Sequence, residues 1–223
     1  MCELLGMAGH FPASLTSSLE RFARHGGDEG PHADGWGLAH YATDSFDVRL
    51  IREPERAASS AWVPFFRSQQ TPTRLAVAHI RRATAGQPSL ANTQPFVREL
   101  GGRMHVFAHN GDLDDIDRRW RRHLCHYRPV GETDSELAFC VLMTRLKPLW
   151  DAALELGHTA PSQGDRWAIV SAFALDMRAF GPANFLYSDG ELMFAHGHRR
   201  KHPDGFIRPP GMVTLTRRCR PDG

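Results

Sequence analysis

The chain has 223 residues, with 27 Lys and Arg against 25 Asp and Glu and a formal net charge of +2. This length can bury a substantial core, and we expect a single domain over residues 1–223. The 41% of hydrophobic residues exclude wholesale disorder, and the near-neutral balance gives no reason to expect a nucleic acid or an anionic membrane as partner.

Cysteine usage and the N-terminus predict a cytoplasmic protein. The four cysteines are widely spaced and form neither a CxxC pair nor a disulfide framework: Cys2, Cys125, Cys140 and Cys219. Glu3 and nearby glycines interrupt the start of the chain, where a secretory signal would need a long apolar segment. The longest apolar run, residues 137–143, is too short to span a bilayer.

The first half of the chain predicts three strands or hairpins and one helix. Residues 3–8 are typical of a short strand, and "SLTSSLERFARHGG" then carries apolar residues at helical spacing. "LAHY" and "FDVRLI" indicate extended segments, and the alternation of Phe46, Val48 and Leu50 is typical of a half-buried hairpin strand. The nearly continuous apolar run "RLAVAHIR", residues 74–81, predicts a strand covered on both faces.

The second half adds another buried strand, two helices and a hairpin. "RMHVFAH", residues 103–109, is the strand, and "SELAFCVLMTRL" and "DRWAIVSAFALDMRAFG" have helical length and pattern. "NFLYSDGELMFA" indicates a hairpin that turns at residues 188–190. Because strands cluster early and late while helices come in blocks, we expect an α+β fold with two mainly antiparallel sheets packed between helices.

Cys2 follows the initiator methionine directly. Cysteine is among the most often buried residue types, so a buried strand residue is the simpler interpretation. If Met1 were removed, however, the freed α-amino group would have a pKa of about 8, low enough to serve as a base at neutral pH. Cys2 would then supply both a nucleophile and its base.

"AHIRRAT", residues 78–84, ends a buried strand with His79 and Arg81 on the same face. The Arg81 guanidinium can hold a carboxylate through two parallel hydrogen bonds. An internal salt bridge is the more frequent explanation for a single arginine of this kind. Both interpretations remain open at this point.

"AHNGDL", residues 108–113, places Asn-Gly after a strand, and a two-residue hairpin turn is the favoured interpretation. The functional alternative uses the Asn110 side-chain amide and the Gly111 backbone N–H as paired donors to a developing oxyanion. Glycine at that position would let a substrate approach closely.

"GETDSE", residues 131–136, matches a helix capping box in which Thr133 caps and Glu136 reciprocates. It leaves Asp134 in the first turn, as a fixed carboxylate able to bind an ammonium group. Two further segments, "HADGWGL" and "ANTQPF", are typical of turn-rich loops, and Trp36 in the first is expected to pack rather than react.

The set and order of these pieces resemble the class II glutamine amidotransferases, in particular their stand-alone bacterial members. "MCELLGM" is similar to the family's N-terminal nucleophile, "GPHADGWG" to its glycine-rich loop and "HIRRAT" to its arginine motif. "NTQPF", "AHNG" and "GETDSE" follow in the family's order, and the later "YSDGE" hairpin is also similar.

The resemblance implies the N-terminal nucleophile (Ntn) hydrolase fold, a four-layer αββα sandwich. It implies that Cys2, freed of Met1, attacks the side-chain amide of glutamine and forms a γ-glutamyl thioester, with no metal or other cofactor. Asn110 and Gly111 would stabilise the oxyanion, while Arg81 and Asp134 would bind the α-carboxylate and α-ammonium. Supporting roles would fall to four further residues: His79, Thr84, His109 and Trp36.

The sequence also departs from the family. Arg82 stands where many relatives carry an aromatic residue, and Gln94 where histidine is common. The chain ends soon after "TLTRRC", earlier than similar proteins, so the family's last strands are in question. The ammonia would pass to a separate synthase partner, or the enzyme would hydrolyse glutamine or another γ-glutamyl amide with a larger leaving group.

Non-enzymatic alternatives remain. "RRWRRH", residues 118–123, could grip phosphates and stack on a base, although a solvated basic segment is favoured. "HGHRRKH", residues 196–202, lacks the further ligands of a convincing tetrahedral metal site. A catalytically silent relative acting as a regulatory subunit is the third alternative.

Overall fold

Two four-stranded antiparallel sheets lie face to face in the computed structural model, which describes residues 2–84, 86–202 and 204–216. The first sheet has the order β1-β4-β2-β3, and the second has the order β5-β6-β7-β8. The strands of the first are β1 (Glu3–Ser14), β2 (Trp36–Tyr41), β3 (Val48–Glu53) and β4 (Pro72–Ile80). Those of the second are β5 (Phe96–Leu100), β6 (Arg103–Asn110), β7 (Asn184–Ser188) and β8 (Met193–His196).

Helices cover the outer faces of both sheets. The helices are α1 (Thr16–Arg24), α2 (Trp62–Gln69), α3 (Ile116–Trp120), α4 (Asp134–Glu155) and α5 (Gln163–Arg178). Short 3-10 turns occur at Ala57–Ser59, Leu90–Asn92 and Arg121–His123, and a small ribbon pairs β9 (Arg200–Lys201) with β10 (Ile207–Arg208). No helix among the described residues has the length and apolar character needed to cross a bilayer.

The alternation of side chains along each strand creates the layers. In β4, Leu75 and Val77 belong to the cluster between the two sheets, together with Val106 and Ala108 of β6. The opposite face of β4 packs with α1 and α2, and the outer face of the second sheet packs with α4 and α5. Four layers result, in the order helix, sheet, sheet, helix, which confirms the predicted αββα sandwich.

Most predicted elements form where the sequence indicated. β1 continues to Ser14, beyond the short strand expected over residues 3–8, and pairs with β4 across an irregular register between Ala8 and Ala13. Both long helices and the hairpin of β7 and β8 are confirmed. Met1 and the end of "TLTRRC" lie outside the described residues.

The hairpin turn favoured at Asn110–Gly111 was wrong. Asn110 is the last residue of β6, whose ladder neighbours are β5 and β7, so β6 is followed by α3 and not by a paired strand. The glycine serves a close approach instead. A Cβ on Gly111 would lie 1.7 Å from the carbonyl oxygen of Pro182, a backbone atom that leaves no room for any side chain.

Candidate functional site

The sequence-predicted residues converge at one end of the layer between the sheets. Glu3 of β1 pairs with Ile80 of β4. Cys2, just before β1, and Arg81, just after β4, therefore lie side by side at the same end of the sheet. The Cys2 Sγ lies 3.6 Å from the carbonyl oxygen of Arg82. Because Val77 faces the inner layer, strand alternation turns His79 inward as well.

The second sheet brings Asn110 to the same inner layer. Ala108 belongs to the inter-sheet cluster, and Asn110 lies two residues further along β6 on the same face. Asn110 is buried, and its Oδ1 has no hydrogen-bond partner among the described residues. Its carbonyl oxygen accepts a 2.9 Å hydrogen bond from Nδ2 of Asn184 on β7.

Cys2 is half-buried, and its surroundings disfavour the thiolate form of its side chain. Burial raises the pKa of its thiol; the positive charge of Arg81 opposes that rise and the negative charge of Asp112 adds to it. The thiol is therefore protonated at neutral pH. A nucleophilic role requires a base next to the sulfur, because the thiolate is the reactive form.

Arg81 is almost fully buried and is held by main-chain carbonyls of two loops. Its guanidinium donates to the carbonyl oxygens of Gly86 at 2.9 Å, Asp34 at 3.4 Å and Gln87 at 3.5 Å. The Asp34 carboxylate in turn accepts from the Ala83 N–H at 2.8 Å. Two segments therefore hold the guanidinium: the glycine-rich loop through Asp34, which lies 47 residues before Arg81, and the loop after the arginine motif through Gly86 and Gln87.

Asp134 lies at the start of α4, held by backbone donors. Its Oδ2 accepts from the Leu113 N–H at 2.7 Å and its Oδ1 from the Ser135 N–H at 2.7 Å. Thr133 caps the helix as predicted, through its Oγ1 and the Glu136 N–H. The reciprocal bond is displaced: the Glu136 carboxylate accepts from the N–H groups of residues 130 and 131 instead.

The supporting residues divide between two faces. The Thr84 hydroxyl donates to the Asp112 carboxylate at 2.7 Å, which joins the loop after β4 to the loop after β6. His109 Nδ1 shares a 2.9 Å hydrogen bond with the Ser135 hydroxyl on the helical side of the sheet. Trp36 packs in the outer cluster under α1 and α2 and donates to Glu53 at 2.8 Å, on the face away from the inner layer.

His79 and His109 are both buried and neutral. Burial lowers the pKa of His79 to about 3, and the nearby His109 ring and the Arg81 guanidinium add to that lowering. Burial also lowers the pKa of His109, although the carboxylates of Asp134 and Asp112 oppose that shift. Neither ring adds a positive charge near Asn110 at neutral pH.

Buried polar atoms without a partner are concentrated at this end. Seven buried side-chain nitrogen or oxygen atoms of the described residues have no hydrogen-bond partner, and four of them belong to His79, His109 and Asn110. Such atoms are costly to bury. Their concentration at one place is expected where a protein keeps polar groups ready for a ligand rather than for its own fold.

The sequence did not predict a role in the site for two residues at this end, Asp112 and Gln94. Asp112 joins Thr84 and affects the Cys2 thiol, and its only sequence signal was its position just after "HNG". Gln94 binds the main chain of His109 with both ends of its side-chain amide. The sequence marked Gln94 only as a departure from a family pattern.

The two basic segments lie elsewhere. In "RRWRRH", Trp120 packs against the core of the second sheet, with the Arg145 guanidinium 4.7 Å from its ring centroid. In "HGHRRKH", His196 contacts Arg178 at 3.2 Å. Over the described part of the chain, no group of three or more His, Cys, Asp or Glu side chains is arranged to hold a metal ion.

Comparison with known proteins identifies similar chains. A family model described as "Glutamine amidotransferases class-II" matches residues 1–219. The Escherichia coli (strain K12) protein named "Putative glutamine amidotransferase YafJ" is 34% identical over 215 residues, which cover 96% of this chain and 80% of that protein. A Haemophilus influenzae protein named "Putative glutamine amidotransferase" is 33% identical over 91% of this chain and 65% of its own length.

A solved structure agrees in both sequence and fold. The 2.0 Å crystal structure of a "predicted glutamine amidotransferase" from Pseudomonas aeruginosa is 34% identical, with a TM-score of 0.60. The match covers 87% of this chain and 72% of that one. The chain therefore spans between about two thirds and four fifths of the length of these similar proteins.

Proposed function

The chain belongs to the class II glutamine amidotransferases, and from this premise we propose that it hydrolyses the side-chain amide of glutamine to glutamate and ammonia. Residues 1–223 would act as one amidotransferase domain, with Cys2 as the nucleophile once Met1 is removed. The observation that carries the proposal is the convergence of Cys2, Arg81 and Asn110 at one end of the inter-sheet layer.

The first half of the proposed reaction forms a thioester. The Cys2 sulfur attacks the amide carbon, and the thiol proton passes through the α-amine of Cys2 to the leaving nitrogen, with water as a relay. The C–N bond breaks and ammonia departs, leaving a γ-glutamyl thioester. The raised pKa of the Cys2 thiol, caused by burial, supports the need for that α-amine.

The oxyanion of the tetrahedral intermediate is assigned to Asn110 and Gly111. An Asn side-chain amide and a backbone N–H are suitable paired donors, and Gly111 leaves no side chain in the way. Asn110 is buried at the same end of the inter-sheet layer as Cys2, which supports its assignment as the side-chain donor. Its Nδ2 would face the developing charge.

The second half releases glutamate. The α-amine takes a proton from water as the water oxygen adds to the thioester carbon, the C–S bond breaks, and the α-ammonium returns that proton to the Cys2 thiolate. Arg81 is assigned to the substrate's α-carboxylate and Asp134 to its α-ammonium, in keeping with their charges. The ammonia would reach a separate synthase partner or leave as product.

The test combines mass spectrometry with turnover. The purified protein is exposed to 6-diazo-5-oxo-L-norleucine, a glutamine mimic, and ammonia and glutamate release from glutamine are measured in parallel. We expect a chain that begins at Cys2, one adduct on Cys2, and glutaminase activity that is lost in Cys2→Ala.

Cys125 provides a matched control, since it is an exposed free cysteine away from the inner layer. Cys125→Ser should keep both the adduct and the activity. A retained Met1, an adduct on Cys125 alone, or glutamate release that survives Cys2→Ala would each contradict the proposal. Release from a γ-glutamyl amide but not from glutamine would leave the chemistry in place and reassign the substrate.

A further inference from the structure

The N–H and carbonyl groups of His109 point to the β5 side of β6, where they bond to the side chain of Gln94 and not to a strand; on the β7 side, His109 lies opposite Phe185. The His109 N–H donates to Oε1 of Gln94 at 2.6 Å, and Nε2 of Gln94 donates to the His109 carbonyl oxygen at 3.2 Å. Gln94 is buried, so water does not compete for these bonds. The two bonds occur one residue before Asn110.

The amide of Gln94 replaces a missing rung of the sheet. The β5–β6 ladder begins with Phe96 opposite Phe107, and continuing it would set residue 94 opposite His109. Pro95 lies between and has no N–H to donate. A side-chain amide carries the same donor and acceptor as a peptide group, so Gln94 completes the pairing beyond the end of β5.

A second side-chain amide holds the other flank of β6. Nδ2 of Asn184 donates to the carbonyl oxygen of Asn110 at 2.9 Å, and Oδ1 of Asn184 accepts from the His198 N–H at 2.8 Å. His109 is thus fixed on the β5 side and Asn110 on the β7 side. The next residue is Gly111. Both assigned oxyanion donors, the Asn110 side chain and the Gly111 N–H, are therefore attached to a stretch of backbone that the side-chain amides of Gln94 and Asn184 restrain.

Gln94 is itself anchored to the first sheet. The Thr93 carbonyl oxygen accepts from Arg52 of β3 at 3.0 Å, and the Thr93 hydroxyl donates to the Ser89 carbonyl oxygen at 2.7 Å. The backbone of Gly37 in β2 comes so close that a Cβ there would lie 2.4 Å from the Gln94 carbonyl oxygen. Gln94 therefore connects the first sheet to the end of β6.

We propose that Gln94 is a positioning residue that sets the Asn110 amide and the Gly111 N–H relative to Cys2. This inference rests on the proposed glutaminase reaction. Cys2 and Arg81 adjoin strands of the first sheet, whereas Asn110 ends β6 of the second sheet and Gly111 follows it. A fixed connection between the sheets at this point is required because a displacement of about 1 Å in a catalytic group commonly lowers the rate on the order of 100-fold.

The test uses Gln94→Met, which keeps the unbranched shape and removes both hydrogen bonds. We expect kcat for glutamine to fall about tenfold or more while KM changes less than about twofold, because Arg81 and Asp134 still hold the substrate. Alkylation of Cys2 by 6-diazo-5-oxo-L-norleucine should slow in parallel. Alkylation by iodoacetamide, which needs no oxyanion donor, should keep its rate.

Gln94→Glu is the second variant, since its carboxylate keeps an acceptor for the His109 N–H but has no donor and places a negatively charged oxygen against the His109 carbonyl. It should lose less amide protection at His109 in hydrogen exchange than Gln94→Met, yet still lose kcat. Gln69→Glu makes the same chemical change at an exposed glutamine of α2 and should match the wild type in every measurement.

The outcomes separate the two proposals. If the wild type releases neither ammonia nor glutamate and Cys2 stays unlabelled, the proposed function fails, and the role of Gln94 in it fails too. If the wild type is active and folded Gln94→Met keeps its kcat and its exchange rate at His109, only the positioning role is overturned. Equal slowing of both alkylating reagents would also overturn it, because that pattern indicates general disorder.

Discussion

The two ends of the inter-sheet layer differ in how their polar groups are satisfied. At the end that holds Cys2, His79 has no partner for either ring nitrogen among the described residues. At the other end, Arg166 binds Asp189 at 2.9 Å and Glu191 at 3.0 Å, and Tyr41 donates to two main-chain carbonyls. A cavity of about 1030 Å³ opens at this second end.

Cavity size alone therefore does not locate the candidate site. The large cavity is lined by buried arginines already neutralised by carboxylates, as in a structural ion-pair network. The Cys2 end combines a thiol, a buried guanidinium and partnerless polar atoms. The cavity end stabilises the fold, whereas under the proposed function the Cys2 end leaves groups for chemistry. Substitutions at each end should separate the two roles.

The largest effect is expected from Arg166→Met at the cavity end. It leaves the fully buried Asp189 carboxylate without its cation, which should lower the free energy of unfolding by about 3–5 kcal/mol. Urea denaturation measures this loss. The kcat of the folded fraction should stay at the wild-type value, and a drop in kcat at full folding would erase the contrast between the two ends.

Asn110→Ala at the Cys2 end should behave in the opposite way. Removing one oxyanion donor should lower kcat on the order of 100-fold, or about 2.7 kcal/mol of transition-state stabilisation, with little change in KM. The free energy of unfolding should change much less than in Arg166→Met, since Oδ1 of Asn110 has no partner in the described structure. Steady-state kinetics showing an unchanged kcat would remove Asn110 from the oxyanion site.

The third effect is the acid sensitivity that buried His79 introduces. Its pKa of about 3 in the folded chain lies below the unfolded value of about 6.5, so the unfolded state binds a proton that the folded state does not. The stabilisation is complete above about pH 6.5 and falls as the pH drops toward 3.

His79→Gln removes that titration. Between pH 7.5 and 4.5 it should lose about 3 kcal/mol less free energy of unfolding than the wild type, as measured by denaturation at each pH. The exposed His10 offers the control, because His10→Gln should retain the wild-type pH dependence. An identical pH dependence in His79→Gln would show that the ring is not buried as a neutral group.

The sequence predicted the fold class and most element positions because each relies on local patterning. Extended patterning in β2 and β3, apolar continuity in β4 and β6, and helical spacing in α4 indicate those elements without any distant contact. Local reasoning failed at Asn110–Gly111. The same dipeptide suits a hairpin turn, and only the pairing of β6 with β5 and with the distant β7 excludes one.

For the candidate site, the sequence by itself determined which residue types are available: a cysteine at position 2, an arginine after a buried strand, Asn-Gly after another and an aspartate in a capped first turn. It could not determine which of them share a space, because the two sheets meet only through long-range packing. The tertiary structure decided that Cys2 and Asn110 face the same layer while Trp36 faces away from it. It also decided that Gln94 holds the end of β6, since a side-chain amide in place of a strand neighbour has no local sequence signature.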